Sequence, residues 1–267
     1  MWCKPFFLQG HSGACFCVQY SPHGGPVKGK LLVVQAFAEE LNKSRRMVTL
    51  LAQLAAQQGY ITLIVDTFGT GDSAGSFEQA EWAGWQHDIV LAANYLNQHD
   101  ENVPVTLLGI RLGALLALTV LPDIACQKML VWQPIWAGKQ QLNEFLRLHV
   151  VARMMSDQAQ RTVTELKAQL ASEGNLDVAG YGLTVALFKA IEQADWQQVA
   201  LALKAQIHWI DIVLMARQPS PRVQRQLDYW RESGASVSYH QCVGAPFWNS
   251  LETKTVASLS HLTVSLL

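Results

Sequence analysis

The stretch Val105-Thr106-Leu107-Leu108-Gly109-Ile110-Arg111-Leu112-Gly113-Ala114-Leu115-Leu116 decides how the chain is read. It lies inside the longest apolar run, Val103 to Leu121, which approaches the length of a membrane span. Arg111 stands at the centre of that run, where a cation costs about 2.5–3.5 kcal/mol on insertion scales. A strand over Val105–Leu108, a tight turn and a helix over Leu112–Leu121 account for the run better. Gly109 and Gly113 bracket the turn, permitting a strained backbone and a close approach of helix to strand.

Outward from this unit the same rhythm repeats. Leu31–Val34 and Ile61–Val65 are short apolar runs expected of strands buried on both faces. Met47, Leu50, Leu51 and Leu54 recur at helical spacing, with Asn42 or Ser44 as candidate N-cap and Gly59 as the stop. Trp82, Trp85, Ile89, Ala93 and Leu96 mark another amphipathic helix, and Met129–Trp132 another strand. Two extended segments, Phe6–Gln9 and Ala14–Tyr20, precede the series. Strands alternating with helices imply a mostly parallel sheet covered on both faces, an α/β fold.

The alternation lapses after Gly138. Leu142, Phe145, Leu146, Val150 and Met154 form one helical stripe, a second helix is read from about Ser156 to Leu170, and Gly174–Gly182 reads as loop. The rhythm resumes with a strand at Ile207–Leu214, a helix at Pro221–Ser233, a strand at Ser236–His240 and a terminal helix. The expected organisation is a core of residues 1–137 and 200–267 carrying a helical cap of residues 138–199.

Composition narrows the classes of function. Of 267 residues, 50% are hydrophobic and 15% charged, the reverse of a disordered chain. A formal net charge of −1 provides no basic surface for nucleic acid. The five cysteines, Cys3, Cys15, Cys17, Cys126 and Cys242, form no disulfide framework or zinc pattern, and the histidines lack ligand spacing. No metal and no cofactor is expected. Met1–Gln9 lacks the features of an export signal, so a cytoplasmic protein without a membrane span is expected.

Several motifs converge on one family. Asp66-Thr67-Phe68-Gly69-Thr70-Gly71-Asp72-Ser73-Ala74-Gly75 follows a strand, and Gly109-Ile110-Arg111-Leu112-Gly113 has the shape of a nucleophile elbow. Together with Ala36–Met47, Trp132-Gln133-Pro134, Gly138-Lys139-Gln140, Ala179-Gly180-Tyr181 and Ala245-Pro246-Phe247-Trp248, they resemble the exosortase A system-associated hydrolases of the second type. The resemblance implies an α/β-hydrolase fold with a cap. It also implies encoding beside exosortase, PEP-CTERM and exopolysaccharide functions, with a protein partner in that system.

The residues of acyl-transfer chemistry are not where this fold needs them. Such chemistry requires a nucleophile at the elbow, a histidine after the last strand and an acid to orient it. The elbow position is Arg111, whose guanidinium stays protonated and cannot attack a carbonyl. The last loop, Cys242–Trp248, has no His, and Met215–Pro219 has no acid; Asp211 falls inside its strand. Gly71-Asp72-Ser73-Ala74-Gly75 satisfies the G-x-S-x-G pattern but lies in a loop, so Ser73 reads first as a loop or capping residue. Ser73 as nucleophile and His240 as base are the remaining catalytic candidates.

Arg111 carries two readings. It sits at a helix N-terminus, whose partial positive charge repels a cation, so a nearby carboxylate is required. An ion pair with Glu39 or Glu40 that plugs the crevice meets that need. Alternatively Arg111, with the amides of Leu112 and Phe37, grips an anionic or acyl small molecule at the sheet's carboxyl edge. Trp248 is expected to line the same cavity. An active ester or thioester hydrolase with a non-standard nucleophile is the third reading.

Overall fold

A computed structural model describes residues 1–98, 102–154, 161–199 and 205–267. Ten strands are present among these residues. Eight form one sheet: β1 (Trp2–Gln9), β2 (Ala14–Ser21), β3 (Gly29–Val34), β4 (Tyr60–Val65), β5 (Val105–Ile110), β6 (Cys126–Trp132), β9 (Gln206–Val213) and β10 (Val237–Val243), in the spatial order β1-β2-β4-β3-β5-β6-β9-β10. β1 and β2 pair antiparallel, as do β2 and β4; every other neighbour is parallel. This is the α/β-hydrolase architecture expected from the sequence.

Period-two alternation divides the buried strand residues between two cores. Leu32, Val34 and Leu107 face one side with α2 (Trp82–Asn97), α3 (Leu112–Val120) and α8 (Pro221–Glu232). Leu31, Val33, Leu108 and Ile110 face the other with α1 (Glu39–Gln57) and α9 (Ala257–Leu266). The continuous apolar runs at β3 and β5 follow from this two-sided cover, and every residue of both strands is buried.

The segment between β6 and β9 contains α4 (Gly138–Met154), α5 (Val163–Glu173), α6 (Val185–Gln193) and the short α7 (Trp196–Val199). Of the α4 stripe, Leu142, Phe145 and Leu146 are buried. α5 begins at Val163, and the expected helix start near Ser156 falls within positions 155–160, which, like the boundary at 200, lie outside the described residues. The segment read as a loop holds an antiparallel hairpin, β7 (Asn175–Val178) and β8 (Tyr181–Thr184). Its two-residue turn, Ala179-Gly180, takes positive φ at both positions, as such hairpins require. Ala at the first of them hid the turn from the sequence.

Two further boundaries differ from expectation. α1 starts at Glu39, capped by Ala38 at φ 51°, so neither Asn42 nor Ser44 is the N-cap; Ser44 is buried inside the helix. β10 continues three residues past His240, which therefore lies within the strand. All five cysteines are free thiols, and no metal-binding cluster of His, Cys, Asp or Glu occurs among the described residues. No described helix is long and apolar enough to cross a membrane.

Candidate ligand site at the elbow

The turn from β5 into α3 is built by its two glycines. A Cβ on Gly113 would collide with the carbonyl oxygens of Val34 and Gln35, and one on Gly109 with the backbone of Ala114. Helix and strands thus approach more closely than any other residue allows. Between them Arg111 sits at φ 55°, ψ −121°, a conformation strained for an L-residue. Its amide donates to the Trp132 carbonyl (3.0 Å), and its carbonyl accepts from Ala114 (3.1 Å) and Ile135 (3.3 Å). The backbone of a nucleophile elbow is intact, and it presents a guanidinium.

That guanidinium is almost fully enclosed. Arg111 Nε and Nη2 donate to Glu40 Oε1 at 3.1 and 3.0 Å, and Nη2 also reaches Glu144 Oε2 at 2.6 Å. Nη1 points to the Gln133 carbonyl at 3.5 Å, and the Trp248 ring lies 5.3 Å from the guanidinium carbon, within cation–π range. The side-chain exposures are 8% for Arg111, 12% for Glu40 and 39% for Glu144. Two carboxylates therefore share one cation, the inner on α1 and the outer on α4.

Burial raises the Glu40 pKa above the ordinary carboxylate value, against the pull of Arg111 and with added repulsion from Glu144. Glu40 Oε2 is buried with no hydrogen-bond partner. Glu39 faces elsewhere: it lies 3.7 Å from Lys43 Nζ and accepts from Asn42 and from the Tyr181 hydroxyl of the β7–β8 hairpin, each at 3.3 Å. Of the two neighbours, the carboxylate facing Arg111 is thus Glu40, with Glu39 tying β8 to α1. Burial and the Glu39 charge push the Tyr181 phenol up to about 12.

A cleft of about 690 Å³ opens here, lined by Phe37, Glu40, Arg111, Phe145, Trp248 and Leu251 among others; Glu39 sits on its wall. Phe37 and Phe145 meet edge to face at 5.0 Å. Leu112 faces inward instead, lining with Phe37 and Gln35 a separate hollow of about 30 Å³, the scale of a water molecule or two. The structure thus brings Phe37, Glu39, Glu40, Arg111 and Trp248 together and leaves Leu112 behind them.

The two catalytic candidates lie outside this cleft. Ser73 Oγ donates to the Asp66 carbonyl (2.6 Å) and accepts from the Phe16 amide (2.7 Å), stitching its loop to β2. The His240 ring lies 3.2 Å from His208 on the face covered by α9, and burial lowers the pKa of both imidazoles. No histidine lines the cleft among its described residues.

Glu144, Gln133 and Gln141 went unread in the sequence. Glu144 had a signal: it is the sole acidic residue of α4, beside Lys139, Arg147 and Arg153. Gln133 had its place after β6; its positive φ (43°) and the bond its side chain accepts from Ile212 N (2.7 Å) are visible only in three dimensions.

No curated protein matches the chain. Among solved structures, it resembles Est1E from Butyrivibrio proteoclasticus with ferulic acid bound (TM-score 0.66, 12% identity, 97% of this chain and 95% of that one). It also resembles a thermostable carboxyl esterase from Bacillus coagulans in complex with glycerol (0.65, 12%, 99% and 97%). An α/β serine hydrolase homologue from Coxiella burnetii is a third (0.59, 14%, 99% and 97%). At these identities the likeness is one of fold. The family described as serine aminopeptidase, S33, matches residues 25–184, more than half of the sequence, and the chain therefore belongs to that family of α/β-hydrolase-fold proteins.

Proposed function

We propose that the elbow serves ligand binding rather than nucleophilic attack, and that the protein holds an anionic or acyl small molecule in the cleft beside Arg111. The observation that carries this reading is the unequal pair of carboxylates on one guanidinium, Glu40 at 12% and Glu144 at 39% side-chain exposure. Glu40 holds the cation in place. Glu144, on the cap, is the group that an incoming carboxylate or phosphate displaces. Arg suits this role because its planar fork binds such anions in two-point fashion. The apolar walls, Phe37, Phe145, Trp248 and Leu251, favour a ligand bearing an alkyl chain.

The triad is degenerate in this reading: Arg111 cannot ionise into a nucleophile, Ser73 spends its hydroxyl on the backbone, and Trp248 of the last loop packs on the guanidinium. The motifs shared with the exosortase A-associated hydrolases support a cytoplasmic setting beside that PEP-CTERM sorting and exopolysaccharide system, with an envelope metabolite as ligand and a protein of the system as partner.

Titration of intrinsic tryptophan fluorescence with submicellar dodecyl phosphate tests the proposal. Wild type binds, Arg111→Met weakens binding about tenfold or more, and Glu144→Gln strengthens it. A panel of acyl esters and thioesters is expected to show no turnover above that of Ser73→Ala. Turnover that Ser73→Ala abolishes would establish a non-standard hydrolase instead.

A further inference from the structure

Arg111 borders a second cavity besides the cleft. A hollow of about 480 Å³ at the carboxyl ends of β9 and β10 is lined by Arg111, Gln140, Asp211, Arg217, Tyr239 and Gln241, among others. Its chemistry differs from that of the cleft. Asp211 Oδ1 accepts from Trp209 Nε1 (2.6 Å) and Oδ2 from the Tyr239 hydroxyl (2.8 Å). That hydroxyl accepts from Gln241 Nε2 (2.8 Å), and Gln241 Oε1 accepts from the Arg217 amide (3.1 Å). A carboxylate offers about four acceptor positions, so Asp211 retains capacity beyond its two partners. Away from Arg111, whose charge Glu40 and Glu144 already answer, the formal charges of the lining are Asp211 and Arg217, and the other polar groups are amides, indoles, the Ser220 hydroxyl and the Tyr239 phenol. Such a surface selects hydrogen-bonding groups without net charge.

The partition between cavities is thin and polar. Gln140 Nε2 donates to Glu144 Oε1 (3.0 Å), and Glu144 in turn holds Arg111. Gln140 lines the hollow and its neighbour Gln141 the cleft. The carbonyl oxygen of each is buried with no hydrogen-bond partner. Buried acceptors are ordinarily satisfied, and leaving them unpaired is costly. Two such acceptors therefore lie in the first turn of α4, one turn before Glu144.

Building on the anion-binding reading above, we propose that cleft and hollow form one bipartite site with Arg111 at its middle. Its ligand carries an alkyl chain in the cleft, an anionic group on Arg111 in place of Glu144, and an uncharged hydroxyl-bearing head in the hollow. The head's hydroxyls meet Asp211, Gln241 and the orphan carbonyl of Gln140.

Three probes at submicellar concentration separate the parts: dodecyl phosphate, dodecyl maltoside and lauroyl lysophosphatidylglycerol. The lysophospholipid is expected to bind about tenfold tighter than either of the others. Gln241→Ala removes that advantage while leaving dodecyl phosphate affinity unchanged, and Tyr239→Phe acts in the same direction. Equal affinity for lysophospholipid and dodecyl phosphate, or an advantage that survives Gln241→Ala, overturns the bipartite site and leaves the binding role of Arg111 standing. Dodecyl maltoside binding as tightly as the lysophospholipid removes the anionic junction. If dodecyl phosphate fails to bind at all, the anion-binding reading falls first and this inference with it.

Discussion

Two junctions of the sheet have nearly the same backbone and opposite chemistry. β3 passes into α1 through Ala38 at φ 51°, ψ −125°, and β5 passes into α3 through Arg111 at φ 55°, ψ −121°. Neither residue caps its helix through a side chain. At the first the side chain is a buried methyl; at the second it is a guanidinium shared by two carboxylates. Both backbones carry strain on the order of 1–3 kcal/mol. The sharp turn is thus a property of how strands feed helices in this sheet, independent of any reactive side chain, and its presence at position 111 is no evidence of catalysis.

The largest effect separating the junctions should come from their side chains. Arg111→Ala leaves the Glu40 carboxylate buried without its cation, which is expected to destabilise the fold by about 3–5 kcal/mol, measured by denaturant unfolding. The sign with pH follows from Glu40. A carboxyl whose folded pKa is raised binds its proton more tightly in the fold, so stability falls as pH climbs through the interval from the ordinary value to the raised one. Removing Arg111 also removes the group that pulls this pKa down. The deficit of the variant should therefore be larger at pH 8 than at pH 5, and a pH-independent deficit would break the assignment.

Next in size is the close packing at the second junction. Gly113→Ala places a methyl against the Val34 and Gln35 carbonyls and should cost about 3 kcal/mol, lowering the thermal midpoint. A smaller effect of opposite sign tests the shared strain: Ala38→Gly relieves the positive φ and should stabilise by about 1 kcal/mol. A loss on Ala38→Gly would show that the turn is unstrained. Smaller still, Glu144→Gln should change stability by less than about 1 kcal/mol, because its carboxylate is partly solvated. A larger loss would make Glu144 as structural as Glu40, contrary to its assignment as the displaceable partner.

The last test concerns the far side of the sheet. Burial lowers the pKa values of His208 and His240 in the folded state. Below the unfolded value of about 6.5 the unfolded chain takes up protons that the fold refuses. Their contribution to stability is present above that pH and is lost as the pH falls toward the depressed values. His240→Gln should therefore reduce the drop in thermal midpoint between pH 7.5 and 5.5.

How much was legible follows from the range of each signal. β3, β5 and the elbow announce themselves through apolar runs and a glycine pair within a dozen residues, so local reading sufficed. The need of Arg111 for a carboxylate was equally legible, since it follows from a cation placed at a helix N-terminus. The choice of Glu40 over Glu39 was not, because it depends on where Ala38 starts the helix. Glu144 stood out as the sole acidic residue of α4, but its pairing was not legible: it lies 33 residues from Arg111 and arrives by the folding of α4 over the sheet. The β7–β8 hairpin hid behind an Ala-Gly turn, although the alternation of buried Leu176 and Val178 with exposed Asn175 and Asp177 was on the page.

The inner carboxylate has a consequence for anyone who would rewrite the elbow. Arg111→Ser supplies a hydroxyl, but it also uncovers Glu40 and Glu144 beside it. A tetrahedral oxyanion forming there would meet Glu144, and Glu40 wherever the pH ionises it, where esterases aim positive dipoles. Retrofitting hydrolysis onto this scaffold therefore starts with neutralising position 40; a serine and a histidine added on their own would inherit a field that opposes the reaction.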